Sequence, residues 1–151
     1  MLNNFRYALL ISLIFVSLVY YNFHQAQVSL KNTSQTNLSI KLDELPSNTK
    51  VNQSLKISWY VEAPSDFETT STTIYYGPNS SPSALVRTNA PDAVGYPFST
   101  SDYRKGNFYL PSKFESSLLF SKPGIYYLRG YSLVRNNHLW TDEKKIIVTA
   151  K

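Results

Sequence analysis

Leu55-Lys56-Ile57-Ser58-Trp59-Tyr60-Val61-Glu62 decides the fold. Leu55, Ile57, Trp59 and Val61 fall on one side of an extended chain, and Lys56, Ser58, Tyr60 and Glu62 on the other. A helix would scatter these residues around its axis, whereas a strand sorts them into a dry face and a wet one. Ala63-Pro64-Ser65-Asp66 then stops the strand with a residue that cannot donate to a ladder and three that suit a turn.

Outward from that strand the same period recurs. Leu38, Ile40 and Leu42 alternate with Ser39, Lys41 and Asp43 as a first strand. Thr70 to Tyr76 is rich in Thr and Tyr and ends at Gly77-Pro78, and Ala84 to Thr88 reads as a short edge strand. Phe108 to Leu110 and Lys113 to Phe120 flank Pro111 as one broken or two short strands. After the turn Lys122-Pro123-Gly124, Ile125 to Val134 is a long strand, and Arg135-Asn136-Asn137-His138 closes a hairpin onto Leu139-Trp140. Lys145 to Thr149 supplies the last strand. Pro and Gly recur so often after residue 46 that few gaps could hold a helix of average length. The expectation is an all-β antiparallel sandwich of seven or eight strands over residues 37–151. Asn89 to Gly106 is its longest irregular stretch.

The N-terminus follows another rule. Residues 7–21, YALLISLIFVSLVYY, carry no charge behind a short leader whose one cation is Arg6. Carried on to Phe23, the run makes about 25 Å of helix against a hydrocarbon core of about 30 Å. Residues 1–23 therefore read as one transmembrane or signal helix, either an uncleaved signal-anchor or a cleaved signal peptide. Tyr20 and Tyr21 at the headgroup level favour the anchor, as does bulky His24 near the best cleavage position, after Ala26. Residues 24–36 form a polar spacer. With Arg6 inside, the domain is expected outside the cytoplasm. The chain is then a single-pass membrane protein touching lipid through residues 7–23, or is secreted if the leader is cleaved. Asn32, Asn37, Asn52 and Asn79 each begin an N-x-Ser/Thr triplet, which matters only where exported proteins are glycosylated.

Composition excludes more than it selects. With no Cys, the chain has no disulfide, no thiol nucleophile and no Cys-ligated zinc. A net charge of +5 spread over scattered Lys and Arg is no nucleic-acid stripe. Twelve Tyr, eight Phe and two Trp against one Met again favour pleated, half-buried surfaces.

Two stretches carry a family resemblance. Leu55-Lys-Ile-Ser-Trp59 resembles the second strand of fibronectin type III and related immunoglobulin-like domains, whose Trp fills the core. Pro123-Gly-Ile-Tyr-Tyr-Leu-Arg129 resembles the stretch carrying their tyrosine corner. The resemblance implies a fibronectin type III-like, immunoglobulin-like sandwich and says little about function. Ile74-Tyr75-Tyr76-Gly77 near Ser80-Ser81-Pro82 also looks like the N-terminal β domain that precedes some metallophosphatases, without the catalytic domain that would follow. Tyr126 and Tyr127 compete for the corner. Tyr126 inward is favoured, because Tyr127 inward would bury Arg129; Tyr127, Arg129 and Tyr131 are then expected on a solvent face.

No catalytic constellation emerges. His24 and His138 are the two histidines, and Asp43-Glu44, Asp66 to Glu68 and Asp142-Glu143 read as solvated turn carboxylates. A calcium site from Asp66 and Glu68 would match no known loop spacing. No cofactor or metal site is expected. Tyr96, Phe98, Tyr103 and Tyr109 are the candidate ligand surface: exposed, their rings would stack on sugars or a partner's apolar anchor; folded back, they would be core. The expected function is a non-enzymatic interaction or structural module with a protein or glycan partner, or alternatively a carbohydrate-binding domain.

Overall fold

The computed structural model describes residues 17–21 and 37–150. Contacts divide the chain into two units, Met1–Thr36 and Asn37–Lys151. In the first, residues 17–21 are helical. Among the described residues no helix is long and apolar enough to cross a membrane. The anchor or signal reading of residues 1–23 lies outside the described residues except for 17–21, and the spacer 24–36 lies wholly outside them.

The second unit is an immunoglobulin-like β-sandwich. One sheet has the order β1 (Ser39–Leu42), β3 (Ser54–Glu62), β7 (Ser112–Leu119). The other runs β2 (Asn48–Lys50), β10 (Lys144–Thr149), β8 (Gly124–Val134), β4 (Glu68–Gly77), β5 (Phe98–Ser99). Short β6 (Phe108–Tyr109) pairs with β4, and β9 (Asn137–Trp140) pairs with β8. Every pairing is antiparallel except β2 with β10, which is parallel.

β3 does what its alternation dictates. Ile57, Trp59 and Val61 are sealed between the sheets with Leu128, Val134, Ile146 and Phe114. Trp59 stacks on Phe114 at 5.9 Å. Its indole N–H donates to the Thr72 hydroxyl at 2.7 Å, which in turn donates to the Tyr131 carbonyl at 2.7 Å. The largest core side chain of one sheet is thus hydrogen-bonded to the other, so its one polar atom is satisfied where water does not reach.

The structure adds two strands to the sequence reading. β2 and β5 are three and two residues long, too short to show a period. The chain between β9 and β10 departs from the ladder. Tyr131 faces Trp140 and Leu128 faces Lys144, so Arg129 and Gly130 oppose Thr141, Asp142 and Glu143. The one extra residue is a β-bulge, which re-aims the side chains around it. Ala84 to Thr88, expected as an edge strand, is irregular. Asn89 N–H closes a turn onto Val86, and the Arg87 carbonyl takes a single bond from His138 N–H at 2.9 Å.

That irregular segment has a structural task. Residues 78–97 lie over the outer face of β8 and β9, where Ser81 and Ser83 accept from Arg129 and Asn89 accepts from Trp140. The segment then returns to the sheet edge as β5, with Val94, Tyr96 and Thr100 buried. The Thr73 hydroxyl bonds the Thr100 carbonyl at 2.9 Å, and the Trp140 indole N–H donates to the Asn89 carbonyl at 2.8 Å. Gly77 is required at the turn into the segment: a Cβ there would stand 2.6 Å from Pro97 Cδ. β8 is therefore covered on both sides, and its central residues Leu128 to Ser132 are all buried.

Candidate functional site

Tyr126 takes the corner position. Its ring packs on the core at 4.5 Å from Phe120, and its hydroxyl donates to the Lys122 carbonyl, four residues upstream, at 3.3 Å. The alternation of β8 is the one expected, but the expectation that Arg129 and Tyr131 meet solvent is overturned. Arg129 is 4% exposed and Tyr131 3%. The segment 78–100 roofs the face that a bare sandwich would leave wet.

Arg129 is made bearable by oxygen atoms. Its guanidinium donates to the carbonyls of Thr141 at 2.8 Å, Ser81 at 2.8 Å and Ser83 at 3.1 Å, and its Nε donates to the Tyr96 hydroxyl at 3.3 Å. The Tyr96 hydroxyl donates onward to Glu143. Glu143 also accepts the Ser80 hydroxyl and the Ser81 N–H, both at 2.6 Å. It is therefore no solvated turn carboxylate. Burial alone would raise its carboxyl, but hydrogen bonds from Ser80, Tyr96 and Ser81, with Arg129 nearby, hold it below the ordinary range. The Tyr96 phenol is pushed up to about 12, first by burial and then by its bond to Glu143. Sequence reasoning missed this centre because Ser81, Tyr96, Arg129 and Glu143 are far apart in the chain; an Arg in the middle of a buried strand was the available signal.

The four candidate aromatics do not form one surface. Tyr96 is in the centre just described. Phe98, half exposed, lies against Tyr76 at 5.4 Å. Tyr109 is 76% exposed and pairs with Glu68. Phe98 pairs with Tyr76, so these two rings sit at opposite ends of β4, roughly 26 Å apart at about 3.3 Å per residue. Tyr103 stands edge-on to Trp59, Phe108 and Phe114 at 5.2 to 6.1 Å, closing the open side of the sandwich.

Two grooves adjoin these rings. One, of about 330 Å³, is mainly aromatic and is lined by Tyr76, Phe98, Leu119, Phe120, Lys122 and Tyr126, with Ser121. The other, of about 430 Å³, is lined by Lys56, Asp102, Tyr103, Glu115, Ser116 and Ser117. In it the Ser116 hydroxyl donates to Asp102 at 2.6 Å, and Lys56 pairs with Glu115 at 2.8 Å. Elsewhere Asp43 pairs with Lys113 at 2.7 Å, and Asp66 lies 3.8 Å from Arg135. His138 Nδ1 shares a hydrogen bond with the Tyr131 hydroxyl at 2.8 Å. Among the described residues no three or more His, Asp or Glu converge as metal ligands. Asn37, Asn52 and Asn79 are exposed, and Asn32 lies outside the described residues.

No family model matches the chain, and no curated protein matches it. Among solved structures it is similar to the PKD domain of an M14-like peptidase from a Thermoplasmatales archaeon, at 12% identity and a TM-score of 0.47, over 75% of this chain and 97% of that one. A CARDB domain from Pyrococcus furiosus is similar at 11% identity and 0.40, over 75% and 94%. A superoxide reductase (neelaredoxin) from Ignicoccus hospitalis is similar at 16% identity and 0.40, over 74% and 80%. Each is a likeness of chain course at low identity.

Proposed function

We propose that this chain is a non-catalytic β-sandwich interaction module of fibronectin type III-like kind, held outside the cytoplasm by residues 7–23. The observation that carries the non-catalytic part is the fate of the buried polar centre. Arg129, Tyr96 and Glu143 are the sort of group an active site would use, yet each spends its hydrogen bonds on fastening the segment 78–100 to the sheet. The tether rests on the uncharged run from Tyr7 to Tyr21 behind Arg6. A glycan-binding reading is favoured by one observation, the polar groove at Tyr103.

Protease added to intact cells tests the placement. Loss of the domain from a blot for the C-terminal region is expected. Full protection until lysis overturns the extracytoplasmic reading.

A further inference from the structure

We propose that the groove beside β7 is a glycan-binding site that takes a neutral or amine-bearing sugar. The inference rests on the non-catalytic interaction reading and gives it a place and a ligand class.

β7 is an edge strand, paired with β3 on one side only. Against it lies the Asp102-Tyr103 turn, with Tyr103 held at φ 54°. That left-handed conformation is uncommon for a bulky residue and persists only where the surroundings impose it. Here Thr72 N–H bonds the Tyr103 carbonyl at 2.9 Å, and Gly106 N–H bonds the Thr70 carbonyl at 3.2 Å. The turn pins the ring at the groove wall, 36% exposed, with Trp59, Phe108 and Phe114 all steeply inclined to it. Among the described residues no ring lies parallel on it.

The polar side of the groove combines one part-buried hydrogen bond with one exposed ion pair. Asp102 uses one carboxylate oxygen for the Ser116 hydroxyl, and Glu115 uses one for Lys56. In each, the second oxygen takes part in no hydrogen bond or ion pair with the described residues. A groove with one aromatic wall and carboxylate and serine oxygens along its edge offers what a pyranose requires: its C–H face packs on the ring, and its hydroxyls donate to those oxygens. Among the lining residues Asp102 and Glu115 outnumber Lys56, which favours neutral or cationic sugars over uronates and sulfated ones. A peptide strand added to β7 is the poorer fit, because Asp102 already bridges to Ser116 across that edge.

The test is titration of the full-length, ¹⁵N-labelled chain in lipid nanodiscs, free of glycoside detergent. The probes are a glucosamine trimer, its N-acetylated counterpart and a galacturonate trimer. Saturable amide shifts at residues 102–103 and 115–117 are expected with the first two, and at least about tenfold weaker binding with the third. Asp102→Asn and Glu115→Gln should weaken the amine-bearing trimer by about tenfold with the melting temperature unchanged. Tyr103→Ala removes the ring packed on Trp59, so Tyr103→Leu accompanies it; a folded Leu variant that no longer binds the neutral trimer supports the site. Absence of shifts at these residues with all three probes, equal binding of the uronate, or shifts confined to Phe98 and Tyr126 overturns it. Cleavage of a probe during titration is a separate failure, which sinks the non-catalytic reading instead.

Discussion

Arg129 on β8 and Glu143 in the bulge after β9 form no direct ion pair, and the Tyr96 hydroxyl joins them, accepting from the guanidinium and donating to the carboxylate. One phenol thereby ties the sheet, the bulge and the roofing segment together. Tyr96→Phe keeps the ring and removes the link, leaving buried Arg129 and half-buried Glu143 each short of a bond. A loss of about 1–3 kcal/mol is expected by urea denaturation. Arg129→Met, which strips the carbonyls of Ser81, Ser83 and Thr141 of their donor, should cost at least about 3 kcal/mol. An Arg129→Met protein as stable as wild type would show that the roof is held by apolar packing alone.

The same centre sets a pH dependence at both ends. The folded-state carboxyl of Glu143 lies below its ordinary 4.5, so its stabilisation is complete above that pH and is lost as the pH falls through the folded value. Glu143→Gln should flatten the acid limb of a plot of urea midpoint against pH. The Tyr96 and Tyr131 phenols are pushed from 10.0 up to about 12, chiefly by burial. Between pH 10 and 12 the unfolded chain ionises first, so stability should fall across that window. Tyr96→Phe should remove its share of the fall.

Trp59 is fully buried and hydrogen-bonded across the sandwich. Trp59→Ala should cost about 3–5 kcal/mol, close to the whole stability of a small domain. A variant melting within a few degrees of wild type would contradict that.

For the corner, ring and hydroxyl separate cleanly. The 3.3 Å bond from Tyr126 to Lys122 is long, so Tyr126→Phe should cost no more than about 1 kcal/mol. Tyr126→Ala, which empties the place beside Phe120, should cost more than Tyr127→Ala. Thermal melts of the three variants check the ranking.

Much of the frame was legible from alternation. β3 and β7 obey a period of two strongly enough to place Trp59 and Phe114 inside. What lay hidden were features that a local period does not encode. The roofing segment 78–100 shows no period because only its last residues, in β5, are strand, yet it decides whether the second face of β8 is wet or dry. The sequence argument about Arg129 assumed that a guanidinium without a nearby carboxylate must face water. Three backbone carbonyls and a phenol from distant positions answered that need. Tyr96, Phe98, Tyr103 and Tyr109, neighbours in the chain, were dispersed because β5 and β6 pair with opposite ends of β4.

The parallel pairing of β2 with β10 has a mechanical side. Ile147 N–H bonds the Ser47 carbonyl and Val51 N–H bonds the Thr149 carbonyl, both at 3.0 Å, so the early strand and the last one run in one direction. A pull that draws the chain before β2 away from the chain after β10 drags the two strands lengthwise past each other. The hydrogen bonds between them are then loaded together, in shear, where an antiparallel hairpin pulled at its open end would unzip one bond at a time. Tension along the chain is therefore borne by this short seam together with the pairing of β1 on β3.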